Sequence, residues 1–397
     1  MQSDWTFDGH AGTMRSALCS PDGKYIVSAA VERVVEVFDR ESGDIRYTLE
    51  GHSTPTEMSW RIRLRDSSGN IISFDPKSRY MISTNYGTDF GYSIKLWDLG
   101  NGCLLDTFYY TDSSAFSPDG RYLAIATRFP DEKTEYRPID IWDSVKGCIV
   151  DSFDGQVGIV SELRFTADGR YIVSRSASFL SECINVWAFP CGKLVQTYDI
   201  SPNAHDEMKL SPDGKRILIM ANHNVNVFDI GTGDLIQTLR PTHRSHWFRC
   251  AAYSPHGKYI YAAYENDAVS VYETASWGLC GIFRSRVQSA HFREAFLSYD
   301  DKYVIAKSCT YRDPWKLLYT IEMWDITRKK KVLTMNDIAS VAHCPDGEYI
   351  VFVSSENTMQ VWSNSQGKFV DTMHPTAFSK LLNPDLQGYI AILPSTT

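Results

Sequence analysis

Short apolar runs separated by turn-forming residues occur along almost the whole chain. A typical run is Tyr25 to Ala30, in which apolar and small residues follow the turn SPDGK at Ser20. Runs of this length with a period of two predict β-strands that bury one face, because a helix would need apolar residues three and four positions apart. Val, Ile, Tyr, Phe and Trp crowd these runs and favour strands. The pattern predicts an all-β chain.

The turn belongs to a repeat. A Pro-Asp-Gly-like turn, usually a basic residue, a tyrosine and an aliphatic residue recur from SPDGKYI at Ser20 to the degraded NPDLQGYI at Asn383. In such a turn Pro fixes φ, Asp caps the backbone and Gly accepts a positive φ, so strands are expected on both sides. We call the tyrosine position of each copy its marker, and the markers are Tyr25, Tyr80, Tyr122, Tyr171, Arg216, Tyr259, Tyr303, Tyr349 and Tyr389.

Each repeat contains two further strands. A Gly-containing turn such as ESGD at Glu41 leads to a last run such as Ile45 to Leu49. The run before this turn ends in an aromatic residue, and these strand-three aromatics are Phe38, Trp97, Trp142, Trp187, Phe228, Tyr272, Trp324 and Trp362. The repeat therefore predicts four antiparallel strands, with the strand-three aromatics in the core between neighbouring units.

Four strands in about 45 residues, the third closed by an aromatic residue and Asp, resemble the WD40 repeat, and the resemblance covers nearly the whole chain. The name-giving dipeptide stands at Trp97-Asp98, Trp142-Asp143 and Trp324-Asp325, with near variants at Phe38-Asp39 and Phe228-Asp229. The resemblance implies an all-β fold, a β-propeller of four-stranded antiparallel blades.

The array departs from the family pattern. The Gly-His pair that family members place before the first strand survives only at Gly9-His10 and Gly51-His52. The hydrogen-bonded His-Ser-Trp-Asp set that the resemblance implies is therefore expected only in blade 2, as His52, Ser83, Trp97 and Asp89. The repeat SPDGRYLAIA is also similar to lactonase-type and peptidase-associated propellers, so it specifies the architecture better than the subfamily.

The repeats predict one propeller over residues 1–397. Their approximate bounds are 8–50, 51–110, 111–155, 156–200, 201–240, 241–285, 286–335 and 336–373, with a partial repeat at 374–397. Trp5 to Phe7 matches the ends of fourth strands, so the N-terminus is expected to supply a closing strand and remove an exposed edge. Eight blades are predicted, and nine with a composite last blade is the alternative.

Insertions are expected on one face of the propeller. The marker and the strand-three aromatic are 16 to 21 residues apart in blades 2, 3, 4 and 7 and 12 or 13 apart elsewhere. The crossover from blade 1 to blade 2 holds a further excess within Ser53 to Gly69. In an antiparallel blade the second connection and the crossovers leave from one end, and the short first and third connections from the other. Elaborated loops on a rigid scaffold are where recognition usually lies.

The inserted segments are rich in Trp, Tyr and Arg, which concentrate binding energy at interfaces. The residues predicted to bind a partner are Trp60, Arg61, Tyr86, Phe90, Arg128, Phe129, Tyr136, Phe179, Arg244, His246, Trp247, Tyr311, Arg312 and Trp315. We therefore expect a non-catalytic protein–protein interaction scaffold that binds a protein or peptide on the face with the long connections. The alternative is a propeller enzyme of lactonase or hydrolase type with a site at the central channel.

Motif scans favour the scaffold. The chain has no GxSxG elbow, HExxH helix or P-loop. His243 and His246 have a possible metal-ligand spacing, but no Cys or carboxylate lies close to them in sequence. Neither a metal nor a cofactor is expected.

Net charge and cysteine content bear on the kind of ligand and on the cellular compartment. A formal net charge of -8 makes nucleic acid an unlikely ligand. Nine Cys without a CxxC pair fit a reducing compartment. The polar start MQSDWTFDGH and the lack of a membrane-length apolar run predict no membrane partner. We expect a cytoplasmic protein, with a nuclear location as the alternative. It is expected to be a monomeric propeller or a subunit of a larger complex.

Overall fold

A computed structural model shows an all-β chain. It describes residues 14–30, 35–40, 42–50, 72–87, 91–127, 136–177, 182–200, 208–221, 224–241, 248–264, 268–285, 291–313, 316–343, 348–354 and 359–373. Every regular element within these ranges is a β-strand. None of these residues forms a helix that is long and apolar enough to cross a membrane. The predicted all-β class is confirmed.

The described strands form eight four-stranded antiparallel sheets, which we number as blades 1 to 8 in chain order. Blades 1 to 4 consist of β1 (Met14–Cys19), β2 (Tyr25–Ala30), β3 (Val35–Asp39), β4 (Ile45–Leu49), β5 (Ile72–Phe74), β6 (Tyr80–Gly87), β7 (Gly91–Asp98), β8 (Leu104–Tyr109), β9 (Thr111–Phe116), β10 (Tyr122–Thr127), β11 (Tyr136–Asp143), β12 (Cys148–Val157), β13 (Ile159–Phe165), β14 (Tyr171–Ala177), β15 (Glu182–Ala188) and β16 (Lys193–Ile200). Blades 5 to 8 consist of β17 (Met208–Leu210), β18 (Arg216–Ala221), β19 (Asn224–Asp229), β20 (Leu235–Leu239), β21 (Phe248–Tyr253), β22 (Tyr259–Tyr264), β23 (Ala268–Glu273), β24 (Leu279–Arg284), β25 (His291–Leu297), β26 (Tyr303–Asp313), β27 (Lys316–Asp325), β28 (Lys330–Asn336), β29 (Ile338–His343), β30 (Tyr349–Ser354), β31 (Met359–Ser363) and β32 (Lys368–Met373).

Strands pair in chain order within every blade, so each connection inside a blade is a hairpin. Blades 1 to 4 fall within one compact unit, Trp5–Pro202, and blades 5 to 8 within a second, Asn203–Tyr389. Eight sheets agree with the predicted eight blades. The partial ninth repeat at 374–397 and the closing strand expected at Trp5 lie outside the described residues.

Seven of the eight strand-three aromatics lie in the core, as predicted, and the eighth, Phe228, is half-buried. Trp142 of blade 3 is 2% exposed and packs against Ile82 and Leu96 of blade 2. Trp97 of blade 2 packs in the same way against Val37 of blade 1. Each of these indoles therefore fills the gap to the preceding blade, and burying one large apolar side chain stabilises the fold by about 1.5 to 3 kcal/mol.

In five blades the first turn is held by its own side chains. In blade 3 the Ser117 hydroxyl donates to Asp119 at 2.5 Å, and the Tyr122 backbone N–H donates to Ser117 Oγ at 2.9 Å. Gly120 completes the turn with a φ of 68°. The same contacts recur in blades 1, 4, 5 and 7. This network satisfies the turn's polar groups locally and explains why the motif repeats.

The Asp that follows the strand-three aromatic organises the third turn. Asp143 accepts the Val145 backbone N–H at 2.8 Å and pairs with the Arg121 guanidinium at 3.0 Å. Burial favours the neutral acid, yet the Arg121 hydrogen bond and the turn amides keep the pKa of Asp143 below its ordinary value. The aromatic residue and the Asp therefore have separate tasks, one in the core and one in the turn.

The fourth strand of each blade carries a β-bulge. In all eight blades the register between strands three and four shifts directly before the strand-three aromatic, as between Leu96 and Trp97. The fourth strand is an edge strand of its sheet, and a bulge bends and twists an edge so that it pairs poorly with another strand.

Candidate interaction surface

The two ends of a blade differ in their connections. We call the end where strand two leads into strand three, and where crossovers enter and leave, the long-loop end; the opposite end is the short-turn end. First connections span five residues and third connections four or five in every blade. At the long-loop end, by contrast, the crossover between β4 and β5 spans residues 50–71, while a single residue joins β8 to β9. Variation in length is thus confined to the long-loop ends.

Three crossovers are reduced to one residue in a left-handed conformation. Tyr110, Gly158 and Asp337 have φ angles of 56°, 82° and 60°. They join blades 2 to 3, 3 to 4 and 7 to 8. The crossovers with room for recognition residues therefore lead into blades 2, 5, 6 and 7.

The extra length of blades 2 and 7 forms longer hairpins, not loops, which corrects the sequence-based expectation. In blade 7 the ladder between β26 and β27 continues through Tyr311 opposite Leu317 to Asp313 opposite Lys316. In blade 2 it continues through Tyr86 opposite Tyr92. Inserted residues that keep pairing in register need no loop, because the strands satisfy each other's backbone groups.

Four of the predicted partner-binding residues consequently lie in strands. Tyr86 is in β6, Tyr136 in β11, and Tyr311 and Arg312 in β26. The other predicted residues lie outside the described residues; they are Trp60, Arg61, Phe90, Arg128, Phe129, Phe179, Arg244, His246, Trp247 and Trp315. His243 also falls there, and the described residues contain no group of three or more His, Cys, Asp and Glu that could hold a metal ion.

The structure also reveals positions that the sequence reasoning missed. Near the start of strand one a bulge inserts one residue in six blades. Bulges re-aim side chains and are common beside functional sites. The inserted residues are Arg15, Asp112, Ser161, Arg249, Arg293 and Ala339.

A sequence signal for these bulges exists. Apolar residues of strand one are spaced by three instead of two around the inserted residue, as in Val160 and Leu163 or Phe248 and Ala251. These four side chains are buried on either side of their bulges. A local break in the period of two therefore marks the site.

Ion pairs lie along the described strands of blade 4. Arg175 of β14 pairs with Glu182 of β15 at 2.9 Å, and Arg164 pairs with Glu162 within β13 at 2.6 Å. The bulge residue Ser161 is exposed beside them. This blade thus presents paired charges that are partly accessible, a surface suited to polar contacts with a partner.

The expected hydrogen-bond set of blade 2 is present in its described half. Trp97 Nε1 donates to Ser83 Oγ at 2.8 Å, while His52 and Asp89 lie outside the described residues. The Ser-Trp half of this set also occurs in blade 4, where Trp187 Nε1 donates to Ser174 Oγ at 2.9 Å. In both blades the serine lies three residues after the marker, a signal available in the sequence.

Comparisons with known proteins agree with this geometry. The family model WD40, described as "WD domain, G-beta repeat", matches residues 1–39 and 329–363. A solved structure titled "Crystal structure of the eukaryotic initiation factor" superposes with a TM-score of 0.67 and 13% identity, over 94% of this chain and 90% of that one. The fold is therefore a β-propeller of four-stranded antiparallel blades.

Two proteins of known name are similar to this chain in sequence. Autophagy-related protein 16 of Arabidopsis thaliana is 24% identical over 282 residues, which cover 70% of this chain and 42% of that protein. Eukaryotic translation initiation factor 3 subunit I of Meyerozyma guilliermondii is 24% identical over 254 residues, covering 58% of this chain and 69% of the subunit. The chain spans less than half the length of the plant relative. The chain is similar to WD40-repeat proteins in two stretches of its sequence and to a solved β-propeller in its fold.

Proposed function

We propose that this chain is a non-catalytic scaffold that binds a protein or peptide partner at the long-loop ends of its blades. The proposal places the chain in the cytoplasm, with a nuclear location as the alternative. It also makes the chain part of a larger complex. One relative is by its name a subunit of an initiation factor, which supports the latter.

The contrast between the two ends of the blades carries the proposal. Among the described residues, hydrogen-bonded turns of four or five residues close the short-turn ends. The long-loop ends, by contrast, differ from blade to blade in hairpin length, crossover length and bulge residues. A rigid scaffold that varies at one end only is the arrangement expected when that end recognises a partner. The residue types predicted there, Trp, Tyr and Arg, are those that dominate binding energies.

Affinity capture from native lysate with quantitative mass spectrometry tests the proposal. The long-loop variant replaces four residues by Ala: Arg128, Phe129, Tyr311 and Trp315. It should lose the captured partner and keep its melting temperature, because hot-spot truncations cost about 2 kcal/mol or more each in binding and surface changes cost little in stability.

A matched control alters the short-turn ends. It replaces four exposed residues by Ala: Lys24, Lys77, Arg170 and Lys215. The control should retain the partner that the wild type captures. Loss of the partner by the control together with retention by the long-loop variant would assign binding to the opposite end and overturn the proposal.

A further inference from the structure

The long-loop ends of blades 6 and 7 carry a charge opposite to that of the whole chain. Their segments 240–249, 264–268, 284–294, 307–319 and 336–338 contain nine Arg and Lys against five Asp and Glu, in a chain whose net charge is -8. In the corresponding segments of blades 2 to 4 acidic residues outnumber basic ones fourteen to seven; these segments are 50–71, 84–94, 109–113, 126–139, 154–162, 175–184 and 199–207.

Equivalent bulges place two of these arginines on neighbouring strands. Arg249 is the inserted residue of β21, where the register shifts between Phe248 and Cys250. Arg293 is the inserted residue of β25, where it shifts between Phe292 and Glu294. β25 lies against the β21–β22 hairpin, so the two bulges belong to adjacent blades of one compact unit.

Further cations surround the bulges. Arg240 follows the end of β20 and Arg284 ends β24, and both are exposed at the crossovers into blades 6 and 7. Lys307 of β26 is half-buried, with its Nζ 4.7 Å from the centre of the Tyr319 ring. An ammonium held over an aromatic face keeps its charge near the surface at a defined place.

An aromatic stack fixes the backbone beneath Arg249. The Phe248 ring stacks on Tyr264 with centroids 4.8 Å apart, and both side chains are buried. The Tyr264 hydroxyl shares a hydrogen bond of 2.8 Å with Ser270 Oγ. A bulge anchored on buried rings presents its inserted residue with little conformational entropy to lose on binding.

We propose that the long-loop ends of blades 6 and 7 form a docking site for an acidic protein segment, with Arg240, Arg249 and Arg284 as its cationic contacts. The inference rests on the proposed scaffold function and adds the chemistry of the partner. Arg guanidinium groups bind carboxylates with paired hydrogen bonds, which favours Asp and Glu side chains as ligands. A long polyanion such as RNA is disfavoured, because the whole chain carries a net charge of -8.

Fluorescence anisotropy with three labelled probes tests the site: an oligo-glutamate peptide with a central Trp, the same peptide with Lys for Glu, and oligo-uridylate RNA. The wild type should bind the Glu peptide alone, and binding should weaken as salt rises from about 0.05 to 0.3 M. The variant Arg240→Glu, Arg249→Glu, Arg284→Glu should bind it about tenfold or more weakly.

A control variant with the same change in net charge distinguishes loss of the docking site from a general electrostatic effect. Lys215→Glu, Lys258→Glu, Lys330→Glu reverses three exposed cations at the short-turn ends of blades 5 to 7 and should bind the Glu peptide within about twofold of the wild type. Equal losses in the two variants, or RNA binding as tight as that of the Glu peptide, would overturn the docking site. If the arginine variant still captures the cellular partner and the long-loop variant does not, the scaffold function stands and the acidic-segment assignment falls.

Discussion

Two tryptophans at the same place in the repeat differ in whether their indole N–H finds an acceptor. Trp187 donates to Ser174, whereas Trp142 Nε1 is buried without a hydrogen-bond partner among the described residues. The difference follows from one position. Three residues after the marker, blade 4 has Ser174 and blade 3 has Ile125. A buried donor without an acceptor loses its hydration and gains nothing in return.

Replacing each tryptophan by Phe should therefore have unequal effects. Trp187→Phe leaves Ser174 without the indole donor, while Trp142→Phe removes an unpaired N–H, and both changes delete the same atoms. We expect Trp187→Phe to lower the free energy of unfolding by about 1 kcal/mol more than Trp142→Phe. Urea unfolding followed by far-ultraviolet circular dichroism, which reports on the backbone, measures the difference. An equal loss in both variants would show that the Ser174 hydrogen bond contributes nothing.

Acid should weaken the first turns. Burial favours the neutral acid at Asp119, but the Ser117 hydroxyl and the Arg121 backbone N–H bind the carboxylate and hold the pKa of Asp119 below its ordinary value. Asp22 and Asp213 have lowered pKa values from equivalent contacts. A carboxyl whose pKa is lowered by folding adds stability above its unfolded pKa of about 4 and loses it as pH falls through the folded pKa.

Asp119→Asn tests this linkage. The variant should melt at a lower temperature than the wild type at pH 7, because Asn lacks the charge that the turn binds. The gap should narrow as pH falls below the unfolded pKa of about 4 and the wild-type carboxyl becomes protonated. Differential scanning calorimetry across this range gives the result, and a gap that stays constant with pH would exclude a contribution from the Asp119 charge.

At the scale of single elements, the sequence predicted the lengths of the inserted segments between strands two and three but not their conformation. Counting residues between marker and aromatic located the extra segments of blades 2 and 7, but a count cannot distinguish a loop from a longer ladder. The segment around Tyr311 and Leu317 pairs because both strands favour extended backbone and a hairpin of two connecting residues suffices. Residues expected in a loop, such as Tyr311, therefore lie in strands.

Contacts between neighbouring blades depend on the third turns. Gly192 of blade 4 has a φ of 66°, and a Cβ there would lie 2.5 Å from the Phe153 ring of blade 3. Gly147 of blade 3 has the same φ of 66° with nothing within 4 Å. Comparing Gly192 with Gly147 separates two contributions to the loss of stability: the left-handed backbone conformation and the contact of a Cβ with the Phe153 ring.

Alanine at these two glycines should have different consequences. Gly147→Ala should lose about 1 to 2 kcal/mol from the left-handed backbone alone. Gly192→Ala should lose about 1 to 3 kcal/mol more, because the Phe153 ring must move out of a packed core. Melting temperatures of the two variants, measured side by side, decide the matter. If Gly192→Ala is no worse than Gly147→Ala, the packing of the turn against Phe153 is unimportant.

At the scale of the whole molecule, the repeat predicted the blades because every unit obeys the same local rules. The turn motif and the period of two act within one blade and recur in all eight repeats, and the aromatic-Asp pair recurs in five of them. The candidate surface was less predictable. Bulge residues such as Arg249 are marked in the sequence only by a local break in the period of two. Which basic residues share one surface depends on which strands become neighbours.

The central claim, that a partner docks at the long-loop ends, is tested most directly by hydrogen–deuterium exchange of the chain with and without its captured partner. Backbone amides covered by a partner exchange more slowly. We predict slower exchange in long-loop segments such as 240–249 and 284–294 and unchanged exchange in the first turns at 20–24, 117–121 and 211–215. Protection of those first turns, with the long-loop segments unchanged, would contradict the account.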